Sequence, residues 1–206
     1  MLFFGKKNKI EKEKPDWIVV GLGNPGDKYK NTRHNIGWMV AEEFLKSKGT
    51  NFKYKTIAYK YNFIAVNNFK VLVAVPLTYM NNSGVAVKEI LNKTNLLVEK
   101  LIIILDEYNF PLGKIHVKMA GGDGGHNGMA SIIEHLNSSE FIRLRCGIGK
   151  NFGPGELIDY VLSDFSPEEI DIKNAMIKTA IEAIEAIIKF GSSKAFSLIN
   201  SGDLWK

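Results

Sequence analysis

Cys146 is the only cysteine in 206 residues. That excludes an internal disulfide, and such sparing use of thiols suits a reducing cytoplasm. The four histidines follow no zinc-type spacing, so with one cysteine no structural metal site is expected. No apolar run approaches the roughly 18 residues a membrane-spanning helix needs. The first residues, MLFFGKKNKIEKEK, hold only a three-residue apolar patch, Leu2 to Phe4, too short for a secretory core. Glu11 and Glu13 argue against an organelle transit peptide. Residues 1–14 are therefore expected to be a flexible basic leader, ahead of a single domain over 15–206. Internal repeats, low-complexity tracts and inter-domain linkers are also missing. From Phe44 to Lys88 there is no Asp or Glu, while seven lysines occur. From Glu156 onward nine acids face five lysines.

With 45% hydrophobic and 24% charged residues, the composition is that of a globular domain long enough to bury a core. The net charge of +5 is concentrated in the first half. A basic face attracts polyanions such as nucleic acid, although a solvated lysine surface would look the same in composition.

Hydrophobic patterning outlines the fold. WIVVG (17–21) and LIIILD (101–106) read as fully buried strands of the parallel-sheet kind. Residues 57–66 and 69–75 form strands around an Asn67-Asn68 hairpin turn. KIHVKM (114–119) alternates, and FIRLRCGIG (141–149) is a strand carrying Arg143 and Arg145 at alternate positions. Helical spacing marks 34–48, 83–92 and about 127–137. Ser166-Pro167-Glu168-Glu169 is a capping box that opens a long amphipathic helix to about Phe190. The expected class is α/β: a single three-layer domain, with a twisted mixed β-sheet flanked by helices.

VVGLGNPG (19–26) has the G-x-G-x-x-G spacing of a dinucleotide site. The context contradicts that use. In a dinucleotide-binding unit a helix carrying the third glycine follows, but here the polar DKYKNTRHN follows without a helical stripe. Pro25 also removes a backbone donor that a phosphate cradle would use. The motif is read as a strand-to-loop turn, and no cofactor is expected. The loop itself carries Asn24, Tyr29, Arg33, His34 and Asn35 just past a central strand, where open α/β sheets form their sites.

Three further polar clusters share that position: PLTYMNNSG (76–84), LDEYNFPLG (105–113) and AGGDGGHNG (120–128). A histidine with an acid at a strand end, joined by several amides, suffices for water activation. Histidine titrates near neutrality, a carboxylate holds its ring, and amides stabilise a developing oxyanion. Each element also has a structural reading. His34 could be a helix-start residue, Asp106 a turn cap, Asn81 and Asn82 helix caps, and Met80 a core filler. Cys146 reads as a small core residue, and His116 and His135 as surface or structural groups.

Together, GLGNPGDKYKNTRHNIG (21–37), PLTYMNNSG (76–84), DEYNFPLG (106–113), GGDGGHNG (121–128) and RLRCGIG (143–149) resemble the bacterial peptidyl-tRNA hydrolases in motif, order and spacing. The resemblance runs from about Trp17 to the C-terminus. It implies cleavage of the ester between the peptide's carboxyl end and the terminal ribose of tRNA, which recycles tRNA from prematurely released peptidyl-tRNA. By the same resemblance His34 matches the catalytic base and Asp106 the acid that orients it. Asn24 and Asn81 match amides lining the site, and Asn127 matches an amide that contacts substrate. Which of the three serves the oxyanion stays open. Met80 matches a residue flanking the cleft, and Tyr29 an aromatic on its tRNA side. Lys118 and Arg145 match basic residues that clamp the 5′-phosphate. The expected partner is peptidyl-tRNA, with no membrane, no obligate protein partner, no metal and a monomeric, cytoplasmic enzyme.

The chain departs from the family pattern at four places. Asn109 stands where a second acid is common, and Leu105 where His or Tyr is frequent. Asp123 adds a negative charge to the glycine loop, which is expected to weaken tRNA binding slightly. Ala120 replaces a usual glycine, with little effect expected. The alternative function is a non-catalytic RNA-binding relative of the same fold, of the splicing-factor type. The presence of Asn24, His34, Asn81, Asp106 and Asn127 together favours the enzyme over it.

Overall fold

The central strands are apolar at nearly every position because both faces of the sheet are covered. The computed structural model describes residues 9–205. Four strands run parallel at its centre: β1 (Trp17–Gly21), β4 (Phe69–Pro76), β5 (Leu101–Glu107) and β7 (Ile142–Gly147). β2 (Tyr54–Lys55) and β3 (Tyr59–Val66) extend one edge, and β6 (Ile115–Met119) closes the other by antiparallel pairing with β7. The order is β2-β3-β4-β1-β5-β7-β6, a mixed sheet of seven strands.

Alternate residues of each strand feed two cores. Val19, Val73, Ile104 and Leu144 pack with α2 (Ile36–Ser47), α6 (Ile170–Phe190) and α7 (Ser192–Ser201). Ile18, Val20, Leu72 and Ile103 pack with α1 (Lys9–Glu13), α3 (Ser83–Thr94) and α4 (Asn127–Leu136). Burying each such side chain contributes about 1.5–3 kcal/mol, so the three layers hold one another. The long helix α6 follows the capping box and stops at Gly191, whose φ of 79° is open to glycine. Asn67 takes φ 52° in the hairpin turn, a conformation asparagine tolerates.

Three expectations need correction. The leader over 1–14 is not flexible throughout. Lys9–Glu13 is helical, Ile10 is fully buried in the second core, and Glu13 pairs with Lys70 at 2.8 Å. The physical reason is an apolar residue with a core to enter; residues 1–8 lie outside the described ones. The strand set at 57–66 begins only at Tyr59, because Ile57 is fully exposed in a turn. The helix set at 34–48 begins at Ile36, after a 3-10 turn over Arg33–Asn35. Two helices were not foreseen, α5 (Leu157–Leu162) and α7. No helix among the described residues is long and apolar enough to cross a membrane.

Candidate active site

The glycines of VVGLGNPG let a helix cross a strand end. A Cβ on Gly21 would lie 2.1 Å from the carbonyl oxygen of Gly37, and one on Gly37 would lie 2.3 Å from that of Ile104. The first turn of α2 therefore sits directly on the carboxyl ends of β1 and β5, pinned by Trp38 N–H donating to the Leu22 carbonyl at 2.9 Å. This contact brings residue 34 to residue 106.

Buried polar residues then lock the loop. Asn24 N–H donates to Asn35 Oδ1 at 2.8 Å, and Asn35 Nδ2 donates back to the Asn24 carbonyl at 2.9 Å. Asn24 Oδ1 accepts from Met80 N–H at 2.8 Å, so its Nδ2 is the group left to donate. Arg33 makes a two-pronged pair with Glu169, at 3.0 and 2.7 Å, and lies over the rings of Tyr160 and Phe165. It ties the turn bearing His34 to the segment before α6, so its role is structural.

Asp106, at the end of β5, is the hub. Its Oδ1 accepts from His34 Nδ1 at 2.9 Å and from His126 Nε2 at 3.1 Å. The His126 tautomer follows from its other nitrogen. Nδ1 accepts from the N–H groups of Gly128 and Met129 and caps α4, which leaves the proton on Nε2. His34, donating through Nδ1, keeps the lone pair of Nε2 for a reaction. Burial opposes charge on His34, but the Asp106 carboxylate and its hydrogen bond outweigh this and raise the imidazole pKa. Burial would raise the Asp106 pKa, yet the two imidazoles hold it below the usual carboxylate range. The side chains of His34 and Asp106 are 11% and 3% exposed, so the histidine is the more open of the two.

His34, Asp106 and His126 also offer three possible metal-ligand atoms within 4.8 Å. Tetrahedral ligands about 2.0–2.1 Å from zinc stand about 3.3 Å apart. The contacts of 2.9 and 3.1 Å are hydrogen-bond distances, and each is accounted for by a donated N–H.

From His34 a cleft of about 460 Å³ runs over β5, β7 and β6. Asn127, Lys118, Arg143 and Arg145 line it, with Leu157, Ile158 and Val161 of α5 along its rim. Arg143 is buried and donates to the carbonyls of Gly121 and Gly122, holding the glycine loop against β7. A Cβ on Gly121 would come 2.9 Å from Lys118 Nζ, so glycine there leaves room for the lysine. Burial and then Arg145 and Arg143 lower the Lys118 pKa. Arg145 donates to Glu107 Oε2 at 3.1 Å. The Nε groups of Arg143 and Arg145 are buried without a partner.

The structure thus brings His34, Asp106, Asn127, Lys118 and Arg145 to one cleft. Asn24, Met80 and Tyr29 form an adjoining group. Met80 is 4% exposed, packs against Gly128 and meets Asn24 through its backbone. Tyr29 meets Tyr79 edge to face at 6.3 Å. Asn81 is exposed beside Met80. Cys146 is fully buried in the core. Sequence reasoning missed His126, although it adjoins Asn127 in a quoted motif; a histidine directly ahead of a helix start was the available signal. It also missed the use of Arg143 as a latch and of α5 as a wall.

A sequence model of the family described as Peptidyl-tRNA hydrolase matches residues 18–205. The chain belongs to this family. It is 43% identical to a peptidyl-tRNA hydrolase of Thermodesulfovibrio yellowstonii, over 89% of this chain and 98% of that one. It is 40% identical to a peptidyl-tRNA hydrolase of a Sulfurihydrogenibium species, over 88% and 96%. A crystal structure of peptidyl-tRNA hydrolase from Acinetobacter baumannii superposes with a TM-score of 0.84 at 30% identity, covering 89% of this chain and 94% of that one.

Proposed function

We propose that the protein hydrolyses the ester between peptide and tRNA in peptidyl-tRNA, with His34 as the general base. The observation that carries this reading is the 2.9 Å bond from His34 Nδ1 to Asp106, at the head of a basic cleft. Nε2 of His34 takes a proton from water, and the water oxygen attacks the ester carbonyl carbon. Asp106 stabilises the imidazolium, which then returns its proton to the departing ribose oxygen. Asn24 Nδ2, Asn81 and Asn127 are the candidate donors to the oxyanion. Tyr29 and Met80 border the substrate. Lys118 and Arg145 hold the 5′-phosphate of the acceptor end, selecting tRNA by shape and charge rather than by base sequence. In this reading the enzyme acts in the cytoplasm as a monomer, without cofactor or obligate protein partner.

The test is release of free tRNA from N-acetylaminoacyl-tRNA, wild type beside His34→Ala. Hydrolysis by the wild type alone supports the enzyme and its base together. Hydrolysis by neither, with tRNA still bound, would favour the non-catalytic RNA-binding relative. Substantial turnover by the variant would remove His34 as the base.

A further inference from the structure

In the cleft, Arg145 has a neighbour that the phosphate-clamp reading leaves unused. His116 lies on β6, directly across from Arg145 in the β6–β7 register. Its Nδ1 lies 2.9 Å from Arg145 Nη2. An arginine can only donate, so this nitrogen must carry a lone pair and the ring is neutral, with its proton on Nε2. On its other side the same guanidinium donates from Nη1 to Glu107 Oε2 at 3.1 Å. Phe110 completes the enclosure. Its ring centroid is 4.7 Å from Arg145 Cζ and 5.4 Å from the His116 ring.

We propose that His116 is a positioning residue for Arg145, setting the guanidinium plane for capture of the tRNA 5′-phosphate. The inference rests on the phosphate-clamp reading above. A free arginine side chain loses considerable rotamer entropy when it binds an anion. Here a carboxylate, an imidazole and a ring fix it beforehand, so less ordering remains to be done on binding. His116 differs from a further cation in this respect. A lysine at 116 would add charge but could not accept from Arg145, and would repel it.

The groups facing His116 agree with a neutral ring. Burial disfavours its charged form first. Arg145 on β7, Lys114 ahead of β6 and Lys118 on β6 add to this, and Glu107 at the end of β5 opposes it. The imidazole pKa is accordingly below its ordinary value.

The experiment measures KM and kcat for N-acetylaminoacyl-tRNA with and without its 5′-phosphate, in wild type, His116→Phe and His116→Asn. His116→Phe keeps a ring and removes the acceptor. It should raise KM on the phosphorylated substrate roughly two- to tenfold, the worth of one hydrogen bond, with kcat unchanged. On the dephosphorylated substrate it should match wild type. Asn offers Oδ1 at the place of Nδ1 and should restore KM. Melting curves of the three proteins should coincide. If wild type discriminates between the two substrates but His116→Phe keeps its KM, the positioning role is wrong and the clamp stands. An equal KM rise on both substrates, or no rescue by Asn, would also overturn it. If wild type itself ignores the 5′-phosphate, the clamp reading fails and this inference falls with it.

Discussion

The two halves of the cleft have opposite balances of donors and acceptors. Around Asp106 they match. One carboxylate oxygen takes two N–H groups, His126 uses both nitrogens, and His34 Nε2 keeps its lone pair. Around Lys118 the balance is broken. Lys118, Arg143 and Arg145 face Glu107 and Asp123, a surplus of one positive charge, although Glu107 and His116 hold Arg145 and loop carbonyls hold Arg143. A matched centre is rigid and ready before substrate arrives, which is what a positioned base requires. An unmatched wall of cations is in its most favourable state only when an anion enters. Under the proposed function rate belongs to one half and affinity to the other, and substitutions can break that division in order of size.

The largest effects belong to the centre. His34→Ala should lower kcat by about 10²- to 10⁴-fold and leave tRNA affinity within about twofold. Stopped assays and a binding titration measure both. A loss that appears mainly in KM would dissolve the division between the halves. Asp106→Asn should lower kcat severely as well, and should also move the pH profile. His34 must be neutral to act, and its pKa is raised because the charge and hydrogen bond of Asp106 outweigh burial. The acid limb of kcat/KM should therefore lie above the ordinary imidazole value of about 6.5. Without the carboxylate charge that limb should move to lower pH, and an unmoved limb would assign it to another group.

The basic half should respond in the other parameter. Lys118→Ala and Arg145→Ala should each raise KM by roughly 10- to 100-fold, the worth of a charge-assisted hydrogen bond, with kcat nearly unchanged. Each should also reduce the slope of log KM against log salt by about one. A main loss in kcat at saturating substrate would mean that these residues reach the reacting atoms. His126→Ala joins the two halves, since its ring caps α4 and holds Asp106. It should cost about 1 kcal/mol of stability, as a lost cap does, and lower kcat by about tenfold or less. Thermal melts and kcat together check this, and a kcat loss equal to that of His34→Ala would make His126 a second essential group.

The sequence made parts of this contrast legible and hid others for physical reasons. His34 and Asp106 stand 72 positions apart, yet both were placed at carboxyl ends of buried strands, and β1 and β5 are parallel neighbours. Strand patterning reports on burial, so it found that meeting point. It does not report on caps made by unusual residues, and His126 went unnoticed because histidine is not a customary cap. A six-residue helix such as α5 is too short to show a period, so the rim of the cleft stayed invisible. Ile10 was read with its charged neighbours as part of a leader, although a single apolar residue suffices to dock one turn of helix. The glycines of VVGLGNPG were read as a strand-to-loop turn, but what requires them there, a helix crossing a strand end, needed the third dimension.

The smallest expected effect tests the glycine loop that separates the halves. Ala120 adopts φ 62°, in the left-handed region where a Cβ costs roughly 1–2 kcal/mol. The substitution of a usual glycine by alanine is thus not neutral for the backbone, as the sequence alone had suggested. Ala120→Gly should remove that cost and, against it, add about 0.4–1 kcal/mol of unfolded-state entropy. The net gain should lie between about 0 and 1.6 kcal/mol, a rise in Tm of roughly 6 °C or less for a chain of this size. KM should stay where it is, because Arg143 holds the carbonyls of Gly121 and Gly122 whichever residue precedes them. A melting curve and one KM determination decide it. A clear loss of stability would show that the alanine methyl group packs usefully. A raised KM at unchanged stability would mean that the strained residue, and not Arg143, sets the loop against Lys118.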